Sequence, residues 1–82
     1  MRILDADSKS SVHQLQLYLT PREARELRAA LDRLLADPEA HEHEHVVAED
    51  DGRELSLSLV TPAKLQNLDR YTAAEQQLLR ER

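Results

Sequence analysis

The sequence predicts an α+β protein, a single two-layer βαββα domain with helices on one face of a three-stranded, mainly antiparallel sheet. Three observations predict this class. Segments of alternating apolar and polar residues flank a stretch with helical periodicity. Threonine–proline pairs precede two helical segments. With 82 residues, the chain is too short for two independent hydrophobic cores, so 1–82 is expected to be one small domain.

The first strand is predicted at 11–19, after a polar stretch at 1–10 that we expect to be a flexible lead-in. One side of this strand would carry a histidine and three leucines, namely His13, Leu15, Leu17 and Leu19. The other side would carry Val12, Gln14, Gln16 and Tyr18. Such alternation is typical of a half-buried strand, with the leucines in the core.

The first helix is predicted at 21–36. Thr20 is placed to cap it, Pro21 suits the first helical position, and Glu23 can complete a capping box with Thr20. The leucines that repeat at helical spacing, and that we expect to face the core, are Leu27, Leu31, Leu34 and Leu35. Pro38 disfavours helical geometry in the residue before it, so the helix should end there.

Strands are predicted next at 41–48 and 53–60, joined by a hairpin around Asp51-Gly52. A two-residue turn would pair Ala48 with Leu55 and direct the nearby histidines outward. A three-residue loop would pair Val47 with Leu55 and press the histidines among leucines. We favour the outward arrangement, because burying imidazoles without partners is costly.

The C-terminal region is predicted to form two short helices, at 62–70 and 73–81. Thr61-Pro62 repeats the helix start seen at Thr20-Pro21, and Thr72 with Glu75 forms a second capping box. These helices would complete the layer that covers one side of the sheet.

The candidate site is the open face of the predicted sheet. Its members are polar or aromatic residues at outward positions: Gln14, Gln16, Tyr18, His41, His43, His45, Ser56 and Ser58. A face of this kind can bind a partner sheet or helix. An ordinary solvated sheet face would have the same composition, because antiparallel sheets commonly leave one side wet.

Two groups of residues indicate alternative functions. His41, His43 and His45 alternate on a predicted strand, and imidazoles two residues apart can converge on one metal ion, so a zinc site is the first alternative. Arginines at 22, 25 and 28 form a basic stripe on the first helix, and a weak nucleic-acid-binding regulator is the second. Glutamates at 23 and 26 interrupt that stripe and favour a self-neutralising surface.

Composition favours a non-enzymatic, cytoplasmic protein-binding domain without a cofactor. The net charge of −5 makes nucleic acid an unfavourable partner. The absence of cysteine suits a reducing compartment. No stretch of the sequence has the apolar length expected of a signal-peptide core or a transmembrane segment. Because the sequence has a single glycine, it contains neither a nucleophile-elbow motif nor a glycine-rich phosphate-binding loop.

The partner is expected to be another protein, bound by an adaptor or by a small acidic inhibitor of immunity or antitoxin type. A homodimer is also possible, since the aliphatic core is light.

Several of these features also occur together in a recognisable order. In this respect the chain resembles small proteins of high-GC bacteria to which no activity is attached. The resemblance rests on Leu19-Thr20-Pro21, the segment from Leu35 to Glu39, the histidines of 41–45 and Thr61-Pro62. The resemblance covers most of the chain and implies the same order of helix and histidine-rich strand.

Overall fold

A computed structural model describes residues 1–50 and 52–81 of the chain. In chain order these residues form β1 (Leu4–Asp5), β2 (Ser10–Ser11), α1 (Pro21–Ala36), β3 (Glu44–Val47), β4 (Glu54–Leu57), α2 (Pro62–Leu65) and α3 (Ala73–Leu79). The α+β class with antiparallel pairing is confirmed. The predicted three-stranded sheet is not present in the described residues, which form two sheets of two strands each, β1–β2 and β3–β4.

The fold consists of two compact units. One comprises Met1–Leu17 and Pro62–Arg82, and the other comprises Tyr18–Thr61. The first contains the β1–β2 hairpin with α2 and α3, and the second contains α1 with the β3–β4 hairpin. That the whole chain folds as a single domain stays a prediction.

Helix α1 has the bounds that the sequence predicts. The backbone N–H of Glu23 donates to Thr20 Oγ1 at 3.1 Å, and Glu23 Oε1 accepts from the Thr20 N–H at 2.8 Å. This reciprocal pair satisfies donors that the first helical turn leaves free. The helix ends at Ala36, just ahead of Asp37-Pro38 as predicted.

The core of the second unit lies where α1 packs on β3. Ala30, Leu34 and Val46 are buried there, each with at most 5 % of its surface exposed. Leu31 and Leu35, which we expected to face the core, are exposed. The leucine stripe is broader than the surface that β3 and β4 bury, so its outer edge stays in solvent.

The β3–β4 register differs from both predicted alternatives. Val46 stands opposite Leu55 and His45 opposite Ser56, and the Ala48 N–H donates to the Arg53 carbonyl at 2.8 Å. Residues 48–53 therefore lie between the strands, and the bond from Ala48 to Arg53 leaves 49–52 as the loop beyond it. The observed register is shifted by two residues from the register of the predicted two-residue turn. An even shift leaves each side chain on the same face of the strand, so His45 lies on the outward face that we favoured. Gly52 has the expected positive φ of 75°, while Asp51 lies outside the described residues.

The strand predicted at 11–19 is wrong. Only Ser11 of that range belongs to a strand, and 12–20 form no helix or strand. The residues expected to line the core from this strand, His13, Leu15, Leu17 and Leu19, are all exposed. Alternation states which residues share a face, but a strand also needs a neighbour whose backbone it can pair with.

The expected flexible lead-in at 1–10 instead contains most of a hairpin. Leu4 pairs with Ser11 and Asp5 with Ser10. Asp5 Oδ1 accepts from the N–H groups of Asp7 at 3.0 Å and Ser8 at 3.3 Å, which forms the turn. These bonds to the ionised carboxyl, the one from Ser8 first, lower the pKa of Asp5.

The C-terminal helices are shorter than predicted. Helix α2 is a single turn followed by the i to i+3 bond from the Asn67 N–H to the Lys64 carbonyl, rather than a helix through 70. Helix α3 begins with the predicted Thr72 capping box and buries Leu78 and Leu79. Among the described helices, none combines the length and apolar character that crossing a bilayer requires.

Candidate functional site

The candidate site is the side of the β3–β4 hairpin opposite the buried Val46. We name it the hairpin outer face and define it by His45 and Val47 of β3 and Glu54 and Ser56 of β4. All four are exposed, and Val47 keeps 52 % of its surface in solvent. The face therefore combines an aliphatic side chain with hydrogen-bonding groups.

His45 is the centre of the polar part of this face. Its Nδ1 lies 2.5 Å from Glu54 Oε1 and 3.0 Å from Ser56 Oγ. The side chains of His45 and Glu54 are 52 % and 50 % exposed. The pair with Glu54 is an ion pair only when the imidazole is protonated, and the direction of the hydrogen bond with Ser56 depends on which ring nitrogen carries the proton.

Side-chain contacts with α1 hold the hairpin at both of its ends. Arg33 Nε and Nη2 lie 2.8 Å and 2.7 Å from Glu44 Oε1, at the start of β3. This hydrogen-bonded carboxylate raises the pKa of Arg33. At the other end of the hairpin, Glu23 Oε2 accepts from the Glu49 N–H at 3.0 Å.

Glu23 therefore serves the helix and the hairpin with different oxygens. It is buried, with 8 % of its surface exposed. The bond from the Thr20 N–H, and next the bond from the Glu49 N–H, lower its pKa, and they outweigh the opposing effect of burial. The capping role is visible in the sequence, because it involves neighbours in the chain. The contact with Glu49 becomes visible only in the folded unit.

The structure brings together only part of the predicted binding face. His45 and Ser56 stand opposite each other, while His41 and His43 precede β3 and Ser58 follows β4, all of them exposed. The remaining members, Gln14, Gln16 and Tyr18, are exposed but lie in 12–20, outside any strand. The strand that was predicted to carry them is therefore not present in the described residues.

Two members of the outer face were not predicted. Val47 shares the parity of His45, so alternation alone could have indicated it. Glu54 stands opposite Val47 and diagonal to His45, and finding this contact requires the register. The three-histidine set named as a metal site is not arranged as one: among the residues that the structure describes, no group of three His, Asp or Glu is placed to hold an ion.

The arginine stripe on α1 is partly neutralised by neighbours. Arg22 Nε lies 3.2 Å from Glu26 Oε1, and Arg22 Nη1 lies 3.4 Å from Glu49 Oε1. Arg25 and Arg28 are exposed on the same helix. The first residue of the stripe thus takes part in acidic contacts within its own unit, as the interruption by glutamates suggests.

Comparisons of the chain with protein-family models, with curated proteins and with solved structures found no match. Functional inference therefore depends on the geometry of the hairpin outer face and on the charge of the chain.

Proposed function

We propose that this protein is a non-enzymatic protein-binding domain whose contact surface is the hairpin outer face. The observation that carries the proposal is the exposure of Val47 beside His45, Glu54 and Ser56, on a ribbon whose other side packs on α1. An exposed aliphatic side chain beside hydrogen-bonding groups combines the apolar and polar elements of a protein interface.

The geometry around His45 supports binding over catalysis. In a nucleophilic triad, the serine and the carboxylate contact different nitrogens of the imidazole. Here Ser56 Oγ and Glu54 Oε1 both approach Nδ1. The ring therefore does not link the hydroxyl to the carboxylate, and half-exposed groups on a two-stranded ribbon exclude little water.

The net charge favours a partner with a basic surface. At −5 the chain attracts cations over a distance and repels phosphate, which favours a protein partner over nucleic acid. Within this class we favour a small acidic inhibitor of immunity or antitoxin type, with an adaptor as the alternative. A cytoplasmic site of action fits a chain without cysteine.

The test is affinity capture from the source cells with matched surface variants. Val47→Lys places a charge on the only aliphatic member of the hairpin outer face, at the last residue of β3. Leu35→Lys places the same charge on an aliphatic residue of α1 that is still more exposed, at 61 %. We expect the wild type and Leu35→Lys to capture the same protein, and Val47→Lys to lose it. Association should weaken as salt rises.

Sedimentation of the purified chain across a range of concentrations tests the other possible occupant, a second copy. A dimer that Val47→Lys dissociates and Leu35→Lys leaves intact would assign the hairpin outer face to self-association. Loss of the partner with Leu35→Lys, and its retention with Val47→Lys, would refute the proposal and assign binding to the α1 surface.

A further inference from the structure

We propose that residues 14–17 pair as an antiparallel strand with the same residues of a second copy of this chain. The inference goes beyond the proposed protein-binding function and does not depend on it, because it uses none of the residues of the hairpin outer face. It starts from a segment that alternates like a strand and yet forms none. Strand β2 ends at Ser11, and after a bend at His13 the chain runs through 14–17 without a turn or bend.

The backbone of Leu15 and Leu17 is open to a new neighbour. Within 1–50 and 52–81, neither residue makes a hydrogen bond through its N–H or its C=O. Their surfaces are 51 % and 49 % exposed. In an extended chain, alternate residues direct their backbone groups to the same edge and their side chains to the same face. The two leucines therefore offer donors, acceptors and apolar surface together.

A two-fold axis at Gln16 makes this edge complementary to itself. Leu15 of each copy then stands opposite Leu17 of the other, and each such pair can exchange two N–H to C=O hydrogen bonds. The four leucines come together on one face, as cross-strand pairs do in a sheet. Because each copy uses its open edge on the other, the pairing closes as a dimer and does not continue as a fibre.

The charge pattern favours a second copy as the occupant of this edge. Residues 10–20 contain no Asp, Glu, Lys, Arg or Pro, and charges and proline are what commonly keep exposed strand edges from pairing. Two copies of a chain with net charge −5 repel each other least along such a neutral stretch. A basic protein, the partner favoured for the hairpin outer face, would gain no attraction there. The contact is short, so the dimer belongs with weak interfaces.

Sedimentation of the full chain from micromolar to millimolar concentration tests the proposal. We expect the wild type to shift from monomer to dimer as concentration rises. Leu15→Lys should weaken dimerisation by about tenfold or more, because it places a charge among leucines. Gln14→Lys adds the same charge to the opposite face of the segment and should dimerise as the wild type does. Val47→Lys, on the hairpin outer face, should also leave this dimer intact.

Charge pairing tests the register and keeps the test valid if one lysine disturbs the fold. The double variants Leu15→Lys/Leu17→Lys and Leu15→Glu/Leu17→Glu should each be monomeric. An equimolar mixture should form a heterodimer, because each lysine stands opposite a glutamate. In the wild type, hydrogen exchange at the Leu15 and Leu17 amides should slow as concentration rises, whereas exchange at Gln16, whose N–H faces the other edge, should not change.

Three results would overturn the proposed dimer. The first is a wild type that remains monomeric at millimolar concentration. The second is dimerisation that Leu15→Lys leaves intact, or a mixture of folded double variants that forms no heterodimer. The third is a monomeric wild type whose captured partner is lost in Leu15→Lys and kept in Gln14→Lys, which would assign this edge to another protein.

Discussion

The two capping boxes of this chain offer a matched test of how the hairpin is held. Each pairs a threonine with a glutamate three residues later, and the bond lengths agree within 0.1 Å: 2.8 and 3.1 Å at Thr20 and Glu23, and 2.9 and 3.2 Å at Thr72 and Glu75. They differ in two respects. Glu23 is buried, whereas Glu75 is half-buried. Glu23 uses its second oxygen to accept from the Glu49 N–H.

Glu23→Gln should therefore destabilise the protein, while Glu75→Gln should be nearly neutral. Glutamine has one acceptor oxygen, so at position 75 it can keep the single bond to the Thr72 N–H. At position 23 it can serve either Thr20 or Glu49, and its amide N–H₂ then faces the other N–H donor. In either case one of the two hydrogen bonds to Glu23 is lost, and the glutamine N–H₂ group faces a backbone N–H donor that it cannot accept from.

The expected size follows from the capping bonds. Removing a threonine cap costs about 1 kcal/mol, which is roughly 4–8 °C in the melting temperature of a chain this size. We expect this loss for Thr20→Ala and at least as large a loss for Glu23→Gln. Glu75→Gln should stay within roughly 3 °C of the wild type.

Thermal unfolding followed by circular dichroism gives the melting temperatures, and hydrogen exchange at the Glu49 amide gives a local readout. Exchange at Glu49 should become faster in Glu23→Gln and remain unchanged in Glu75→Gln. Equal melting temperatures for the two glutamine variants, with the Glu49 amide equally protected in both, would refute the dual role of Glu23.

Three further predictions concern the same unit. The pKa of Glu23 is lowered in the folded state, so its stabilising effect is complete above the ordinary glutamate value of 4.5 and is lost as pH falls through the folded-state value. On acidification below pH 4.5 the wild type should therefore lose more stability than Glu23→Gln in urea titrations. Leu34→Ala removes a side chain that is 5 % exposed and should lower the free energy of unfolding in urea by about 2–5 kcal/mol. Leu35→Ala, on the exposed side of α1, should lower it by well under about 1 kcal/mol. Equal losses would contradict the assigned core. Arg33→Ala should lower the melting temperature slightly at low salt and not at 1 M NaCl, because its pair with Glu44 is partly exposed; a loss independent of salt would point to packing instead.

Prediction from the sequence succeeded where the deciding contacts are short in chain distance. The bounds of α1 and the two capping boxes depend on bonds between residues three or four apart. The positive φ of Gly52 likewise follows from a local requirement of the connection. The hairpin at Asp5 was also a local feature, indicated by its turn-forming residues, and the prediction of a loose lead-in overlooked it.

The candidate site was predictable only in part. Alternation placed His45 and Ser56 on one face correctly, because a register shift of two residues preserves parity. It could not reveal the proximity of Glu54 to His45, since that contact depends on which residues stand opposite one another. Nor could it show that Gln14, Gln16 and Tyr18 lie outside any strand.

The sequence by itself determined the α+β class, the first helix and its caps, since each depends on hydrogen bonds and apolar spacing within a few residues. Only the tertiary structure decided the pairing of strands, the register of β3 with β4, the contact of Glu23 with Glu49 and the exposure of the leucines at 15, 17 and 19. These features depend on contacts made, or not made, between residues that are not close neighbours in the chain. Their free energy is the gain from burying surface less the entropic cost of closing loops, and no local pattern records that balance.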